Sequence, residues 1–442
     1  MHKLSLLLLL VCLPWLVGAQ SISWEYLAPM PEKVTNNAVT SVTIGEETYL
    51  YSFAGIDTTL DCNGDHLRAY RYTLSSNSWD TIPDLPDPNG GKIAASANTI
   101  GDKIYIVGGY HLAPDCSETS SNRIHIFDPL TNTYLEDGRN LAVPIDDQVQ
   151  VVWRDSLLYV VTGWSNTTNV SNVQLYNPTF NLWQQATAVG TGANWRVFGA
   201  SGVIVGDTIY YAGGARPNFG FPASSFFRKG YINPENPAEI TWEGTSEPLA
   251  LGYRMGAATF GEQALWIGGS DNTYNFDAIA YDGSGLINPL DRIGVYEPAT
   301  GTWAEIFGFI PAIMDLRGVA ELGNGEYLIA GGMLANQEVT DQLLKISISD
   351  LTSTDPLFVD AEEQVHLFPN PAREQFWLDL QAINTTSSAH WMLLNSLGET
   401  IKMGKVDFTV NNPISLQGLP VGQYWLRLEW SQGGQLLPVI KS

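Results

Sequence analysis

Tyr105-Ile106-Val107-Gly108-Gly109 is one of six short apolar stretches in this chain of 442 residues that each end in a small residue and a glycine. The other five occupy residues 51–55, 159–163, 210–214, 265–269 and 328–332. Their last glycines stand at positions 55, 109, 163, 214, 269 and 332. A period of about 50 residues is typical of the blades of a β-propeller and not of helical solenoids. The repeat therefore predicts an all-β fold.

Strands with an aromatic side chain accompany the glycine stretches, usually after a turn such as Phe127-Asp128-Pro129. Asp and Pro favour tight turns between strands. The aromatic residues of these strands are Trp79, Tyr134, Trp183, Trp242 and Trp303. The last repeat has none, whereas Trp24 stands before the first glycine stretch. We therefore predict a closed ring of six blades over residues 20–350, in which the Trp24 strand completes the last blade and removes the free sheet edges.

This alternation of glycine pairs, proline turns and tryptophan strands resembles the kelch repeat, over about residues 22–350. The resemblance implies a kelch-type propeller whose first strands line a central channel. Its galactose-oxidase relatives need two His, two Tyr and a crosslinked Cys around copper. The propeller here has only His66, His111 and His125, all in the first two repeats. We therefore reject a copper oxidase and predict no cofactor.

The C-terminal residues 361–442 are predicted to form a small immunoglobulin-like β-sandwich after a linker at 351–360, because short strand-like and turn-like segments alternate there. Three blocks resemble the type A C-terminal sorting domain of the type IX (Por) secretion system of Bacteroidota. The residues that carry this resemblance are Pro369, Asn370, Pro371, Gly398, Leu419, Pro420, Gly422 and Tyr424. The resemblance implies export across the outer membrane, with the type IX secretion machinery as a partner. An ordinary adhesive sandwich is the alternative.

The N-terminal residues 1–19 are predicted to be a secretory signal peptide. Lys3 precedes an apolar run over residues 4–16, which is shorter than a transmembrane helix, and small residues end at Ala19. No later segment is long and apolar enough to span a bilayer. We expect a mature chain without a transmembrane segment, secreted or held at the cell surface.

Composition and cysteine usage agree with export. The formal net charge of −24 makes a nucleic acid an improbable partner, because binding one needs a basic surface. Cys62 and Cys116 occupy equivalent places after the glycines of neighbouring repeats. In an oxidising compartment they are expected to form a disulfide. A zinc site that adds His66 and His111 is the alternative, and we predict no metal.

Candidate ligand-binding residues stand upstream of the glycine stretches, near one mouth of the channel: Asn37, Lys92, Asp147, Arg196, Arg254 and Arg317. One interpretation is a pocket for a small anionic ligand such as an acidic sugar, with Arg as a planar carboxylate clamp. The other, which we prefer, is that these residues bond neighbouring loop carbonyls. Tyr110, Trp164 and Phe219 follow glycine stretches and are expected either to stack on sugars or partners or to pack between blades.

The sequence thus predicts a secreted, surface-displayed module that binds a protein or a glycan, and it assigns no catalytic residue. No Gly-x-Ser-x-Gly, His-Glu-x-x-His or phosphate loop is present. The alternative is a carbohydrate-active enzyme of the sialic-acid mutarotase kind at the channel mouth. It would need an acid/base carboxylate, for which Asp147 and Glu247 are the candidates.

Overall fold

The computed structural model describes residues 22–349, 351, 366–379, 388–394, 400–407, 413–430 and 433–441. The predicted signal peptide, nearly all of the predicted linker and Gly398 lie outside these ranges.

Residues 22–348 form six antiparallel sheets, numbered here in chain order. Sheet 1 contains Ala38–Ile44, Glu47–Ile56, Asp65–Thr73 and Ser78–Ile82. Sheet 2 contains Ile93–Ile100, Lys103–Leu112, Ile124–Asp128 and Thr133–Tyr134, with Glu118–Ser120 paired to its second strand. Sheet 3 contains Val149–Trp153, Leu157–Val161, Val173–Asn177 and Leu182–Gln185.

The remaining three sheets repeat this order. Sheet 4 contains Phe198–Val205, Thr208–Ala215, Phe226–Asn233 and Asn236–Ser246. Sheet 5 contains Gly256–Phe260, Gln263–Ile267, Arg292–Glu297 and Thr302–Phe307. Sheet 6 contains Ala320–Gly323, Glu326–Ala330, Leu343–Ile348 and Ile22–Leu27. A short hairpin, Trp164–Ser165 with Thr168–Asn169, and two 3-10 turns, Pro248–Ala250 and Ala335–Gln337, lie in connections.

Each glycine stretch lies in or directly follows the second strand of its sheet. Gly109 ends one of these stretches and has a left-handed φ of 82°. A Cβ atom at Gly109 would stand 2.7 Å from the carbonyl oxygen of Ile93, so the close approach of two strands requires glycine there.

A circle of backbone hydrogen bonds joins the starts of the first strands. Six residues in these places have left-handed φ angles: Asn36, Ala94, Asp147, Gly199, Arg254 and Asp315. We call them the ring residues. The amide of Ala94 donates to the carbonyl of Asn36, and each following ring residue donates to the one before it, up to Arg254. Leu316 N donates to Arg254, and Asn36 N donates to Asp315, which closes the circle.

The strand that carries Trp24 completes sheet 6, as predicted. Ile22–Leu27 pairs antiparallel with Leu343–Ile348, with Ile22 opposite Ile348. The first strands on either side of this seam are also joined, because Ser41 Oγ donates to the carbonyl of Glu321 at 2.8 Å. Residues from the two ends of the propeller sequence therefore close one circle of sheets, which is the arrangement of a β-propeller.

Tryptophans of the fourth strands bind sheets 1 and 4 to the sheets that precede them. Trp79 Nε1 donates to the carbonyl of Ala28 at 2.9 Å, and Trp242 Nε1 donates to that of Thr187 at 2.9 Å. Each acceptor lies just after the fourth strand of the preceding sheet. The buried indole area and its hydrogen bond together stabilise the contact between sheets.

Cys62 and Cys116 form a disulfide with a Cα–Cα distance of 5.1 Å. It joins the connections between the second and third strands of sheets 1 and 2. His111 Nδ1 lies 2.6 Å from the carbonyl oxygen of Gly91. Among the residues that the structure describes, no group of three or more His, Cys, Asp or Glu side chains is placed to hold a metal.

The C-terminal residues form two further sheets. One contains His366–Phe368, Gln375–Asp379 and Ile414–Ser415, and the other contains Thr400–Asp407, Ser388–Leu394, Gly422–Trp430 and Gly433–Lys441. Phe376, Leu393 and Leu426 are fully buried in their common core. Asn370 Oδ1 accepts from Ile440 N at 2.8 Å, and Tyr424 OH donates to the carbonyl of Pro420 at 2.7 Å. Two residues of the sorting motif thus hold turns of this domain.

The described parts of the chain contain no helix with the length and apolar character that a bilayer span requires.

Candidate functional site

The six residues predicted at the channel mouth do not occupy equivalent positions. Asp147 and Arg254 are ring residues. Asn37 and Arg317 follow ring residues, whereas Lys92 and Arg196 precede them. The six residues therefore differ in their position relative to the ring residues. In sheets 2, 4 and 5 the ring residue stands 15 residues before the last glycine, whereas Lys92 and Arg196 stand 17 and 18 residues before it and therefore miss the ring.

Three of the predicted residues do meet on the axis, together with one that sequence reasoning missed. Arg254 Nη2 lies 2.7 Å from Asp147 Oδ2, and Arg254 Nη1 lies 2.8 Å from Asp315 Oδ1. Arg317 Nη1 lies 3.4 Å from Asp147 Oδ1, and its Nη2 donates to Ser96 Oγ at 2.9 Å. We call Asp147, Arg254, Asp315 and Arg317 the axial ion cluster.

The axial ion cluster is buried and balanced in charge. Arg254 is 1% exposed and Arg317 is 7% exposed. Burial alone would lower the pKa of Arg254, but the carboxylates of Asp147 and Asp315 outweigh it and raise that pKa well above the usual value. Burial raises the pKa of Asp315, against the opposing effect of Arg254. Two guanidinium groups thus face two carboxyl groups, and neither arginine is left free to clamp an external anion.

Aromatic rings cover the axial ion cluster on the side of the connections between second and third strands. The guanidinium carbon of Arg254 lies 5.1 Å from the ring centroid of Tyr253 and 5.4 Å from that of Tyr274. Both tyrosines are fully buried, and Tyr110 is 3% exposed. Cation–π contact supports the buried charge, and the rings close the axis on this side.

Lys92 and Asn37 have structural partners away from the axis. Lys92 Nζ lies 2.6 Å from Asp87 Oδ2, with both side chains fully buried. Burial alone would raise the pKa of Asp87, but hydrogen bonds and charge from His125 and Lys92 hold it well below the usual value. Asn37 Nδ2 donates to Ser52 Oγ at 2.8 Å. These contacts favour the structural interpretation for both residues.

Arg196 and Glu247 also lie outside the axial ion cluster. Arg196 is half-buried, and its Nε has no hydrogen-bond partner within the described ranges. The carboxylate of Glu247, a candidate acid/base, accepts from Leu249 N at 3.2 Å and caps a 3-10 turn. Asp147, the other candidate, is paired with two arginines. Neither carboxylate stands in an open pocket beside a free arginine.

Of the three aromatics that sequence reasoning singled out, Tyr110 is buried, whereas Trp164 is half-buried and Phe219 is fully exposed. Trp164 packs edge-on against Phe221 with 5.6 Å between ring centroids, and Phe221 packs against Tyr281 at 5.2 Å. We call Trp164, Phe219, Phe221 and Tyr281 the loop platform.

The loop platform joins the second-to-third connections of sheets 3, 4 and 5. Thr273 Oγ1 donates to the carbonyl of Phe221 at 2.7 Å, which ties the connections of sheets 4 and 5 together. Phe221 and Tyr281 escaped the sequence analysis because they stand well after their glycine stretches. The length of the connection in sheet 5, from Gly268 to Asp291, is the signal that could have drawn attention to Tyr281.

Comparison with known proteins identifies both parts of the chain. The family described as "KLHDC2/KLHL20/DRC7 Kelch-repeats domain" matches residues 15–214. The family described as "Secretion system C-terminal sorting domain" matches residues 366–439. The solved structure "Structure of YjhT" is similar with a TM-score of 0.57 and 15% identity, over 73% of this chain and 99% of that one. At this identity the similarity concerns the fold alone.

Curated relatives are similar over the kelch part. Kelch-like protein 26 of Danio rerio is 26% identical over 38% of this chain and 26% of its own length. Kelch-like protein terF of Aspergillus terreus is 28% identical over 43% of this chain and 41% of its own length. Beta-scruin of Limulus polyphemus is 28% identical over 37% of this chain and 17% of its own length. The chain thus spans less than half of each of these relatives. Residues 15–214 thus match a kelch-repeat family and residues 366–439 match a secretion-system C-terminal sorting family, in a chain whose residues 22–348 form a β-propeller.

Proposed function

We propose that the propeller is a binding module, displayed on the cell surface or released after export, whose loop platform contacts a protein or a carbohydrate chain. The sorting domain indicates export by the type IX system. The full exposure of Phe219, two residues before the ring of Phe221 that packs on Trp164 and Tyr281, carries the proposal. Aromatic side chains that a partner can cover are among the residues that contribute most to binding interfaces.

Rigidity of the support favours binding over simple exposure. Phe221, held by Trp164 and Tyr281, follows Phe219 closely and lies in a left-handed conformation with φ of 44°. A partner that covers Phe219 would therefore order few additional side chains, which lowers the entropic cost of association.

The alternative, a carbohydrate-active enzyme at the channel mouth, has less support. Its arginines would have to bind the substrate, but Arg254 and Arg317 are occupied by Asp147 and Asp315. The aromatic cover over Arg254 would also have to open. A binding role needs neither change.

The test compares Phe219→Ala with Phe180→Ala in the full secreted chain. Phe180 is 75% exposed and lies between the third and fourth strands of sheet 3, outside the loop platform, so it is a matched control. Binding would be measured on a glycan array and, separately, by capture of surface proteins from the native organism followed by titration of the purified partner. We expect Phe219→Ala to weaken binding about tenfold or more, and Phe180→Ala to leave it unchanged.

Both variants should keep the melting temperature of the unmodified chain, since neither side chain is buried. Equal affinity of the two variants for every ligand found would remove the loop platform from the binding surface. Turnover of a sugar that requires Arg254 would favour the enzyme instead.

A further inference from the structure

The long second-to-third connection of sheet 5, residues 268–291, presents two aliphatic side chains to solvent. Ile279 and Leu286 face each other across an antiparallel bridge. The residues that follow them, Ala280 and Ile287, are buried, as expected where alternate side chains of paired backbone point to opposite sides. Ile279 is 46% exposed and Leu286 is 50% exposed. The two side chains therefore form one exposed apolar pair.

This pair borders the segment that carries Phe219. Asp282 lies in the turn between Ile279 and Leu286, and a Cβ atom on Gly220 would stand 3.5 Å from the Cα atom of Asp282. Phe219, directly before Gly220, is fully exposed. The loop platform therefore continues into the connection of sheet 5, and this surface of the propeller exposes one aromatic and two aliphatic side chains.

Three carboxylates in the same connection accompany the apolar side chains: Asp271, Asp277 and Asp282. Asp277 Oδ1 accepts from Ile279 N at 3.0 Å, and Asp282 Oδ1 accepts from Ser284 N at 2.8 Å. None of the three forms an ion pair with a lysine or arginine of the described ranges. The other five second-to-third connections contain six acidic residues but only two basic ones, Arg123 and Arg216. This surface therefore combines exposed apolar side chains with uncompensated negative charge.

We propose that the partner of the loop platform is a polypeptide segment that carries lysine or arginine beside large apolar side chains. This inference rests on the proposed binding function and names the chemistry of the partner. The apolar side chains of the segment would cover Phe219, Ile279 and Leu286, and its cations would face the three carboxylates. An acidic glycan would be repelled by these carboxylates, and a neutral glycan offers no opposite charge to them.

The experiment selects ligands for the full secreted chain from a random peptide library displayed on phage, and titrates the selected peptides by isothermal calorimetry at about 0.1 M salt. We expect the selected peptides to have a net positive charge and at least one large apolar residue. The triple variant Asp271→Asn, Asp277→Asn, Asp282→Asn removes three charges but keeps the acceptors for Ile279 N and Ser284 N. It should weaken peptide binding about fivefold or more. Leu286→Ser should weaken binding about threefold or more, because part of the apolar contact is lost.

The matched control removes three exposed carboxylates from the opposite end of the propeller, through Glu46→Gln, Glu235→Gln and Glu262→Gln. These residues lie in hairpins between first and second or third and fourth strands. Strands of at least five residues, or about 16 Å, separate them from the loop platform. This separation exceeds the Debye length of about 10 Å at 0.1 M salt, so the control should change peptide affinity less than about twofold. Both triple variants should keep the melting temperature of the unmodified chain.

The chemistry of the partner and the binding function fail separately. If Phe219→Ala weakens the binding of a ligand but the triple Asp→Asn variant binds it as well as the charge-matched control does, the loop platform is a binding surface and the basic partner is overturned. A library that yields only neutral or acidic peptides, or none, overturns the basic partner as well. If Phe219→Ala binds every ligand as tightly as the unmodified chain, the proposed function itself fails.

Discussion

Arg254→Met should be one of the most destabilising single substitutions in the propeller. It removes the partner that holds Asp315 at 2.8 Å and one of the two that hold Asp147. Asp315 is fully buried and would keep only Thr35 Oγ1, at 2.7 Å, as a donor. Breaking a buried ion pair by removing one partner costs about 3–5 kcal/mol, because the other charge stays buried. We expect Arg254→Met to lower the free energy of unfolding by an amount in this range at pH 7.

The charge balance supplies the decisive comparison. Adding Asp315→Asn to Arg254→Met leaves Arg317 opposite Asp147, one cation and one anion, and should recover at least about 2 kcal/mol. Arg154→Met is the matched surface control, because Arg154 pairs with Asp207 at 3.0 Å where both side chains are exposed. Its cost should stay below about 1 kcal/mol. Urea unfolding of the full chain, followed by tryptophan fluorescence, measures all three free energies of unfolding.

The loss caused by Arg254→Met should also depend on pH. Without Arg254 the pKa of Asp315, already raised by burial, rises further above its value in the unfolded chain. The folded state then binds more protons than the unfolded state at neutral pH, so stability increases as the pH falls. The difference in the free energy of unfolding between Arg254→Met and the unmodified chain should therefore shrink as the pH falls from 7 to 5. If Arg254→Met lowers the free energy of unfolding by less than about 1 kcal/mol at pH 7, or if Asp315→Asn does not reduce that loss, the axial ion cluster is not a set of buried ion pairs of balanced charge.

Three other predictions concern the seam, the disulfide and a buried histidine. Removing residues 20–27 uncovers the edge of the strand Leu343–Ile348. The melting temperature measured by calorimetry should fall by more than about 5 °C, and size-exclusion chromatography should show aggregation. An unchanged melting temperature would contradict ring closure by this strand. Replacing Cys62 and Cys116 by Ser opens a loop with a sequence separation of 54 and should cost about 2–4 kcal/mol in urea unfolding, whereas equal stability would mean that the bond adds no constraint. Burial lowers the pKa of His66 to about 4, so the unfolded chain binds more protons below pH 6.5 and the native state loses about 3 kcal/mol as the pH falls to 4. The difference in stability between the unmodified chain and His66→Phe should therefore change over that window, and a pH-independent difference would show that His66 has the same pKa in the native and unfolded chains.

The repeat could be predicted from sequence because its signals are local. A glycine such as Gly109 is required where two backbones nearly touch, and the indole of a residue such as Trp79 binds the preceding sheet. These requirements recur in each sheet and therefore appear as a period. The strand of Trp24 could be placed by counting, because a closed ring needs an equal number of second and fourth strands.

The axial ion cluster could be predicted only in part, because it depends on exact register. Asp147 and Arg254 are ring residues, and simple counting found both. Asp315 was missed because Arg317, two residues later, attracted attention as a cation. The ring residue stands 15 residues before the last glycine in sheets 2, 4 and 5, a register that the choice of Lys92 and Arg196 did not keep. Burial cannot be read from the sequence either. Charged residues that pair with one another were therefore interpreted as candidate ligand-binding residues.

The seam in sheet 6 also sets an order of events during biogenesis. Ile22 pairs with Ile348, so the first strand of the propeller in chain order pairs with the last one. Contacts between such distant parts of a chain form slowly, because a long loop must close before they are gained. Until then the strand with Trp24 and Tyr26 has no partner, and the edge it will cover does not exist. The propeller therefore has unpaired sheet edges, which favour aggregation, until its two ends have met.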